Sequence, residues 1–351
     1  MTVSPQKNLP QFLITHPTDL SKLLVGYSCL LREFNLSSFN YKEIVAQTFK
    51  QDKRNFGLLV CACYSNSGDQ VAIVNNLKEL LVYSISNMDL VLNLFFALLF
   101  RVLPRSGVKV CFSKDNKSIL VADKAGHVIN YCIEKTEITQ KILVDTLSTI
   151  TDMYLSVSNY LAVCDREGRI RVSFFPNAYH ILSYCIGHEG AVTCLSFTSS
   201  GLRLFSGSND GTVKLWDPTN GKELFSLEPF STVHKHKVCD LQCSASQHVC
   251  VCYEGLSVAE VYKYSLTTEG LETLVCNMFM CVTLILNIFQ LHVQSINTNS
   301  EVLQTVFDVE NTLYILERCP PYITSYQFLE GFFSESSSEY LATDCYLSDL
   351  Q

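Results

Sequence analysis

Residues 187–217 begin Gly187-His188 and continue through Ala191-Val192-Thr193-Cys194-Leu195-Ser196-Phe197. They end in Arg203-Leu204-Phe205-Ser206-Gly207-Ser208-Asn209-Asp210-Gly211-Thr212-Val213-Lys214-Leu215-Trp216-Asp217. Three short strands are visible, separated by turn residues. Leu195 and Phe197 stand two apart, the spacing that puts side chains on one face of a half-buried strand. Asn209-Asp210-Gly211 predicts a tight hairpin turn, because Asn and Gly tolerate positive φ.

A Gly-His pair at one end and Trp-Asp at the other form the WD-repeat signature of one β-propeller blade. The pattern should then recur. With the aromatic-ended strand of Trp216 as marker, related strands end at residues 34, 83, 131, 173, 216, 264 and 326. The steps are about 42 to 49 residues, stretched to about 62 at the last. Seven markers predict an all-β, seven-bladed WD-repeat propeller spanning residues 1–333 as a single domain. A segment near the N-terminus is expected to pair with the last blade, because closing the ring removes exposed sheet edges.

The 351 residues suit one propeller, and 48% hydrophobic against 17% charged residues supports a large core. The formal charge of −8 argues against a protein that is basic overall and binds nucleic acid through its net charge. Any RNA contact is expected to be local or delegated to a partner. Sixteen cysteines are scattered along strands. The chain is too large to need a disulfide scaffold. Cys61/Cys63 and Cys250/Cys252 each place two thiols on one strand face. A zinc site would favour CxxC or wider spacing, so no metal site is expected. The first residues, Met-Thr-Val-Ser-Pro-Gln-Lys, lack an apolar signal core, which suggests an intracellular, reducing setting.

The long final step coincides with an uncharged run at 274–291, near the length of a membrane span. Asn277, Asn287 and Gln290 interrupt it and no basic flank sets an orientation. Buried strands with an unusual loop are the favoured reading over a span, so no membrane contact is expected. An error in the gene model is a third reading, and it extends to the Leu- and Phe-rich 90–100. Residues 334–351 are expected to form an acidic, Ser-rich flexible tail.

Ser206, His188 and Asp210 have the residue types of a hydrolytic triad. With Trp216 they are expected instead to form a buried structural network, of value only when every member is satisfied. No P-loop, Gly-x-Gly-x-x-Gly, Gly-x-Ser-x-Gly or His-Glu-x-x-His motif is present. A scaffold is favoured over an enzyme, with no cofactor bound by this chain.

Asp165-Arg166-Glu167-Gly168-Arg169-Ile170-Arg171 packs five charges into one strand-turn-strand. One reading is a solvated hairpin. The other is a binding face: Arg169 and Arg171 are two apart, project from one side of a strand, and suit bidentate capture of carboxylate or phosphate. Asp165 and Glu167 would repel phosphate, which favours a mixed-charge protein partner.

Cys164-Asp165-Arg166-Glu167-Gly168-Arg169-Ile170-Arg171-Val172-Ser173 resembles the A-D-R-x-x-[KR]-I-R-V-S segment of the non-catalytic WD-repeat subunit of tRNA (guanine-N(7))-methyltransferase. The likeness continues through Tyr179 to His188, and through Leu204 to Trp216. Leu120-Val121-Ala122-Asp123-Lys124-Ala125-Gly126-His127-Val128 is similar to the family's L-V-A-D-K-x-G-D-V. The resemblance implies a heterodimer with a catalytic methyltransferase subunit that uses S-adenosylmethionine to form N(7)-methylguanosine in the tRNA variable loop. It also implies tRNA contact mainly through that partner, and a nuclear location. Carried over by position, Arg171 and Arg169 would pair with acidic groups of the partner and Glu167 with a basic one; Asp165 and Arg166 belong to the same segment. Gly168 stands where an acidic or polar residue is common. A generic WD adaptor, such as a ubiquitin-ligase substrate receptor, is the alternative. The Trp-Asp-x-Arg box of such receptors is absent, since Pro218-Thr219 follows Trp216-Asp217.

Overall fold

The structure, a computed structural model, describes residues 10–28, 30–36, 40–45, 57–85, 99–133, 140–228, 236–264, 291–298, 300–318, 323–329 and 332–336. Every regular element among them is a β-strand, and the strands form seven four-stranded antiparallel sheets. Blade 1 is β1 (Phe12–Thr15), β2 (Lys22–Gly26), β3 (Leu30–Asn35) and β4 (Asn40–Val45). Blade 2 is β5 (Leu59–Tyr64), β6 (Gln70–Asn75), β7 (Glu79–Ser84) and β8 (Leu99–Val102). Blade 3 is β9 (Gly107–Phe112), β10 (Ser118–Asp123), β11 (His127–Cys132) and β12 (Gln140–Asp145). Blade 4 is β13 (Ile150–Leu155), β14 (Tyr160–Asp165), β15 (Arg169–Phe174) and β16 (Ile181–Ile186). Blade 5 is β17 (Val192–Phe197), β18 (Leu204–Ser208), β19 (Val213–Trp216) and β20 (Glu223–Leu227). Blade 6 is β21 (Val238–Cys243), β22 (His248–Tyr253), β23 (Val258–Lys263) and β24 (Leu291–Asn297). Blade 7 is β25 (Val302–Phe307), β26 (Leu313–Glu317), β27 (Ile323–Leu329) and β28 (Phe332–Ser336).

The first strands β1, β5, β9, β13, β17, β21 and β25 neighbour one another around the ring. Second strands are buried on both faces, so they read as continuous apolar runs rather than alternating ones. Every residue of β14 and β22 is buried. Between blades 4 and 5, Ala162, Ile170, Val172, Val192, Leu195, Phe197 and Trp216 close one such interlayer core. Side chains on the first strands also bond the next blade's backbone. Asp152 accepts from Leu195 N (3.0 Å), Ser196 Oγ from Cys243 N (3.1 Å), and Asp240 from Thr305 N (2.7 Å).

The seven-bladed architecture agrees with the expectation, with two differences. Ring closure does not use a shared sheet: among the described residues β1 belongs to blade 1, and blade 7 is built from its own four strands. The seam is held by Gln304 Oε1, which accepts from Leu13 N (2.7 Å), and by Thr15 Oγ1, which donates to Phe307 O (3.1 Å). The sixth marker also shifts. Phe34, Tyr83, Tyr131, Ser173, Trp216 and Tyr326 pair with Leu23, Val71, Ile119, Leu161, Leu204 and Leu313. In blade 6 the matching pair is Val249 with Tyr262, not Tyr264. Tyr264 lies just past the end of β23.

Residues 274–290, 90–98 and 337–351 lie outside the described residues. Leu291 opens β24, Leu99 and Phe100 belong to β8, and Ser334 to Ser336 complete β28 beyond the expected boundary at 333. Among the described residues no helix is long and apolar enough to cross a membrane.

Candidate functional site

One turn template shapes the face on which the charged segment sits. Between the second and third strands, blades 2 to 5 carry Asn75 to Glu79, Asp123 to His127, Asp165 to Arg169, and Ser208 to Thr212. Their fourth residues, Lys78, Gly126, Gly168 and Gly211, all have positive φ. The first side chain of each turn accepts backbone N–H groups of its own turn, the local bonding that Asp, Asn and Ser favour. In blade 4, Asp165 Oδ1 accepts from Glu167 N (2.9 Å) and Arg169 N (3.1 Å). Arg166 N donates to Thr149 O, tying the turn to the connection that leads into β13. A Cβ on Gly168 would stand 2.8 Å from Gly190 O and 2.9 Å from His188 O, so glycine is required by the backbone of the next blade.

The five charged residues separate into distinct environments. Asp165 is buried, and its second oxygen takes Arg169 Nε (3.0 Å) and Nη2 (2.9 Å). Arg169 also meets Glu167 Oε2 (2.6 Å). Arg169 remains 38% exposed and Glu167 59% exposed, so both can be reached by another molecule. Arg166 is exposed.

Arg171 is 8% exposed. Its Nη2 donates to Ala178 O (2.9 Å) and Tyr179 O (3.3 Å), Nη1 to Asp145 O (3.5 Å), and Nε to Ser173 Oγ (3.3 Å). Burial pulls its pKa down from the ordinary guanidinium value, against the fields of Tyr184 and Asp145.

As the two-residue spacing predicts, Arg169 and Arg171 line one cleft, of about 320 Å³. Its other walls are Asp145, Thr146, Leu147, Val163, Asp165, Tyr184 and Ile186. The arginine pair was legible in sequence; the apolar walls were not identified. Leu147 is fully exposed on the loop from blade 3, and Tyr184 and Ile186 are exposed on β16. One signal was available: β16 points Tyr184 and Ile186 outward and the small Ser183 and Cys185 inward, an inversion of the usual pattern. Scattered exposed apolar residues need no explanation, but a contiguous group beside unburied charge marks an interaction surface.

The Ser-His-Asp set lies in blade 5. Trp216 Nε1 donates to Ser206 Oγ (2.8 Å), Ser206 Oγ bonds His188 Nε2 (2.7 Å), and His188 Nδ1 bonds Asp210 Oδ2 (3.0 Å). The relay is chemically consistent when Ser206 donates to Nε2 and Nδ1–H donates to Asp210. Burial alone would raise the Asp210 pKa, but hydrogen bonds from His188 and Thr212 overcome it and hold the carboxyl well below the usual range. Ser206 is fully buried and capped by the indole N–H, so its hydroxyl cannot reach a substrate. Among the described residues no group of His, Cys, Asp or Glu is placed to hold a metal ion.

Known proteins place this geometry in context. Two solved propellers share the fold: the Cps50 (Swd1) β-propeller domain of Myceliophteria thermophila (TM-score 0.71, 10% identity, covering 93% of this chain and 99% of that one) and the RRP9 WD40 repeats (0.69, 13%, 90% of each). Among curated relatives, the tRNA (guanine-N(7)-)-methyltransferase non-catalytic subunit wuho of Drosophila pseudoobscura pseudoobscura is 31% identical over 170 residues. That match covers 48% of this chain and 43% of the relative. The non-catalytic subunit wdr4 of Danio rerio is 27% identical over 230 residues, 63% of this chain and 54% of the relative. The chain thus spans about half the length of the curated relatives it matches. Residues 129–316, more than half of the chain and including both the charged turn and the Trp216 network, match the tRNA methyltransferase TRM82 WD40 domain, and the chain belongs to that family.

Proposed function

We propose that this chain is the non-catalytic scaffold of a tRNA (guanine-N(7))-methyltransferase. It binds and stabilises a separate catalytic subunit, which uses S-adenosylmethionine to form N(7)-methylguanosine in the tRNA variable loop. The observation that carries this reading is the fourth-blade site, which lies inside the segment matched to the family. It combines reachable charges of both signs with an apolar-walled cleft, a composition suited to a protein partner. The Ser206 relay is sealed, which supports assigning the chemistry to the partner. This subunit binds no cofactor of its own, meets tRNA mainly through the catalytic subunit, and acts in the nucleus.

Arg169 and Glu167, with Arg166 beside them, supply the partner-facing charge, and Asp165 holds Arg169 in place. Charge complementarity at such a rim sets register and association rate. Two substitutions test it without disturbing the internal bonds of Asp165: Arg166→Glu and Glu167→Lys. The double variant is expected to fold, and to lose co-purification with the catalytic subunit at physiological salt. Methyl transfer to tRNA should be absent with this chain alone and present once the catalytic subunit is added. Undiminished complex formation by the double variant removes the assigned docking face.

A further inference from the structure

We propose that the exposed face of β16 is a second docking surface beside the charged turn: an apolar strip that receives an apolar stretch of the catalytic subunit, with a carboxylate of that subunit placed opposite Lys141. It rests on the scaffold reading and extends the docking face along the outer strand of blade 4. In an antiparallel pair, residues directly opposite share one face of the sheet. Ile186 stands opposite Arg169, Tyr184 opposite Arg171, and Ile181 opposite Ser173. A bulge gives Ile181 that place. The register shifts between Val172 and Ser173, Leu182 is left without an opposite residue, and Ile181 keeps the side of Tyr184. Ile181, Tyr184 and Ile186 are exposed, while Ser183 and Cys185 on the other side are buried.

From Ile181 to Ile186 the strand runs about 17 Å. Exposed Leu147 flanks the Ile186 end, in the same cleft. Exposed Tyr179 flanks the Ile181 end. There Lys141, on β12 of blade 3, holds its ammonium 5.2 Å from the Tyr179 ring centroid, a cation–π contact that fixes a positive charge beside the apolar side chains. The occupant follows from size and continuity. A stable interface takes about 20–30 residues a side. The charged turn from Asp165 to Arg171 offers seven, of which Asp165, Gly168, Ile170 and Arg171 are buried. A body seated on Arg169 and Glu167 meets the strip next, because the register puts Ile186 and Tyr184 on the arginine side. Apolar side chains on the strip call for an apolar counterpart, and Lys141 calls for a carboxylate.

Ile181→Gln, Tyr184→Gln and Lys141→Glu test this in the full chain with the purified catalytic subunit. The first two should raise Kd about tenfold or more at every salt concentration, and make the heat-capacity change of binding less negative. Lys141→Glu should cost more at low salt than at high. Tyrosine nitration keeps the test available if a variant fails to fold. In the wild-type chain Tyr179 and Tyr184 should react when it is free and be protected in the complex, while exposed Tyr41 of blade 1 reacts in both. Wild-type Kd and heat capacity in Ile181→Gln and Tyr184→Gln overturn the strip, as does equal nitration of Tyr179 and Tyr184 with and without the partner. Self-association of the free chain that Ile181→Gln abolishes would give the strip to a second copy and overturn the assigned occupant. A wild-type chain that binds no methyltransferase overturns the scaffold reading, and the occupant with it. Binding lost in Ile181→Gln but kept by the Arg166→Glu, Glu167→Lys double variant removes the charged docking face and leaves the strip standing.

Discussion

Ser206→Ala removes a single oxygen, yet it is expected to be among the more damaging substitutions in blade 5. Among the described residues the hydroxyl is the hydrogen-bond partner of both the Trp216 indole N–H and His188 Nε2. Trp216 and the His188 side chain are both fully buried. Losing the hydroxyl leaves two buried polar groups without a partner, at about 1–3 kcal/mol each. The combined cost is about 2–6 kcal/mol, a large part of the roughly 5–15 kcal/mol that stabilises a typical domain. The cavity left by one oxygen adds little. Trp216→Phe removes the stranded N–H, so in that background Ser206→Ala should cost about 1–2 kcal/mol less. A double-mutant cycle by urea unfolding, followed by circular dichroism, measures this coupling. Trp216 is the sole tryptophan, so its fluorescence reports the same site in wild type and in Ser206→Ala. A cost below about 0.5 kcal/mol, or a coupling indistinguishable from zero, refutes the network as described.

Gly168→Ala should lower stability by about 2 kcal/mol or more, because φ is +80° and the new Cβ meets two backbone carbonyls; an unchanged melting temperature would contradict that. Burial, with Lys263 adding to it, holds His248 at a pKa of about 4, below its ordinary 6.5. The unfolded chain then binds a proton that the folded chain refuses between those values. Stability should be fully present above pH 6.5 and fall as pH drops towards 4, by up to about 3 kcal/mol. Unfolding midpoints measured across that window should flatten in His248→Gln, and an unaltered slope would assign the effect elsewhere. Cys164, Cys194, Cys250 and Cys252 are buried, and burial raises the pKa of Cys164, Cys194 and Cys252 above the ordinary thiol value. All four should resist alkylation at pH 8 in the native protein, and peptide mapping that finds them modified would show the interlayer cores to be open.

What could be read from sequence was whatever local chemistry dictates. Asn209-Asp210-Gly211 announces its turn because the backbone there needs positive φ, and that one turn set the alignment that located Gly168 and Gly126. The Tyr262 register escaped because Tyr264 is also a tyrosine two residues on, and either one fits an aromatic-ended strand. The charged face of Asp165 to Arg171 was legible from spacing. Its division was not, since the carbonyls of Asp145, Ala178 and Tyr179 converge on Arg171 only once blades 3 and 4 are packed. Leu147 was likewise unremarkable as one leucine between polar neighbours, and becomes a wall of the cleft only beside β16.

The closing seam has a consequence for connectivity. Among the described residues each of the seven sheets is drawn from consecutive strands, so none of these pairings joins the first blade to the last. A circular permutant opened between β4 and β5 would therefore cut none of the strand pairings among the described residues and would leave Gln304 and Thr15 able to make the same contacts. The same contiguity lets each blade complete its strand pairing as it leaves the ribosome, with the contact between blades 7 and 1 made last.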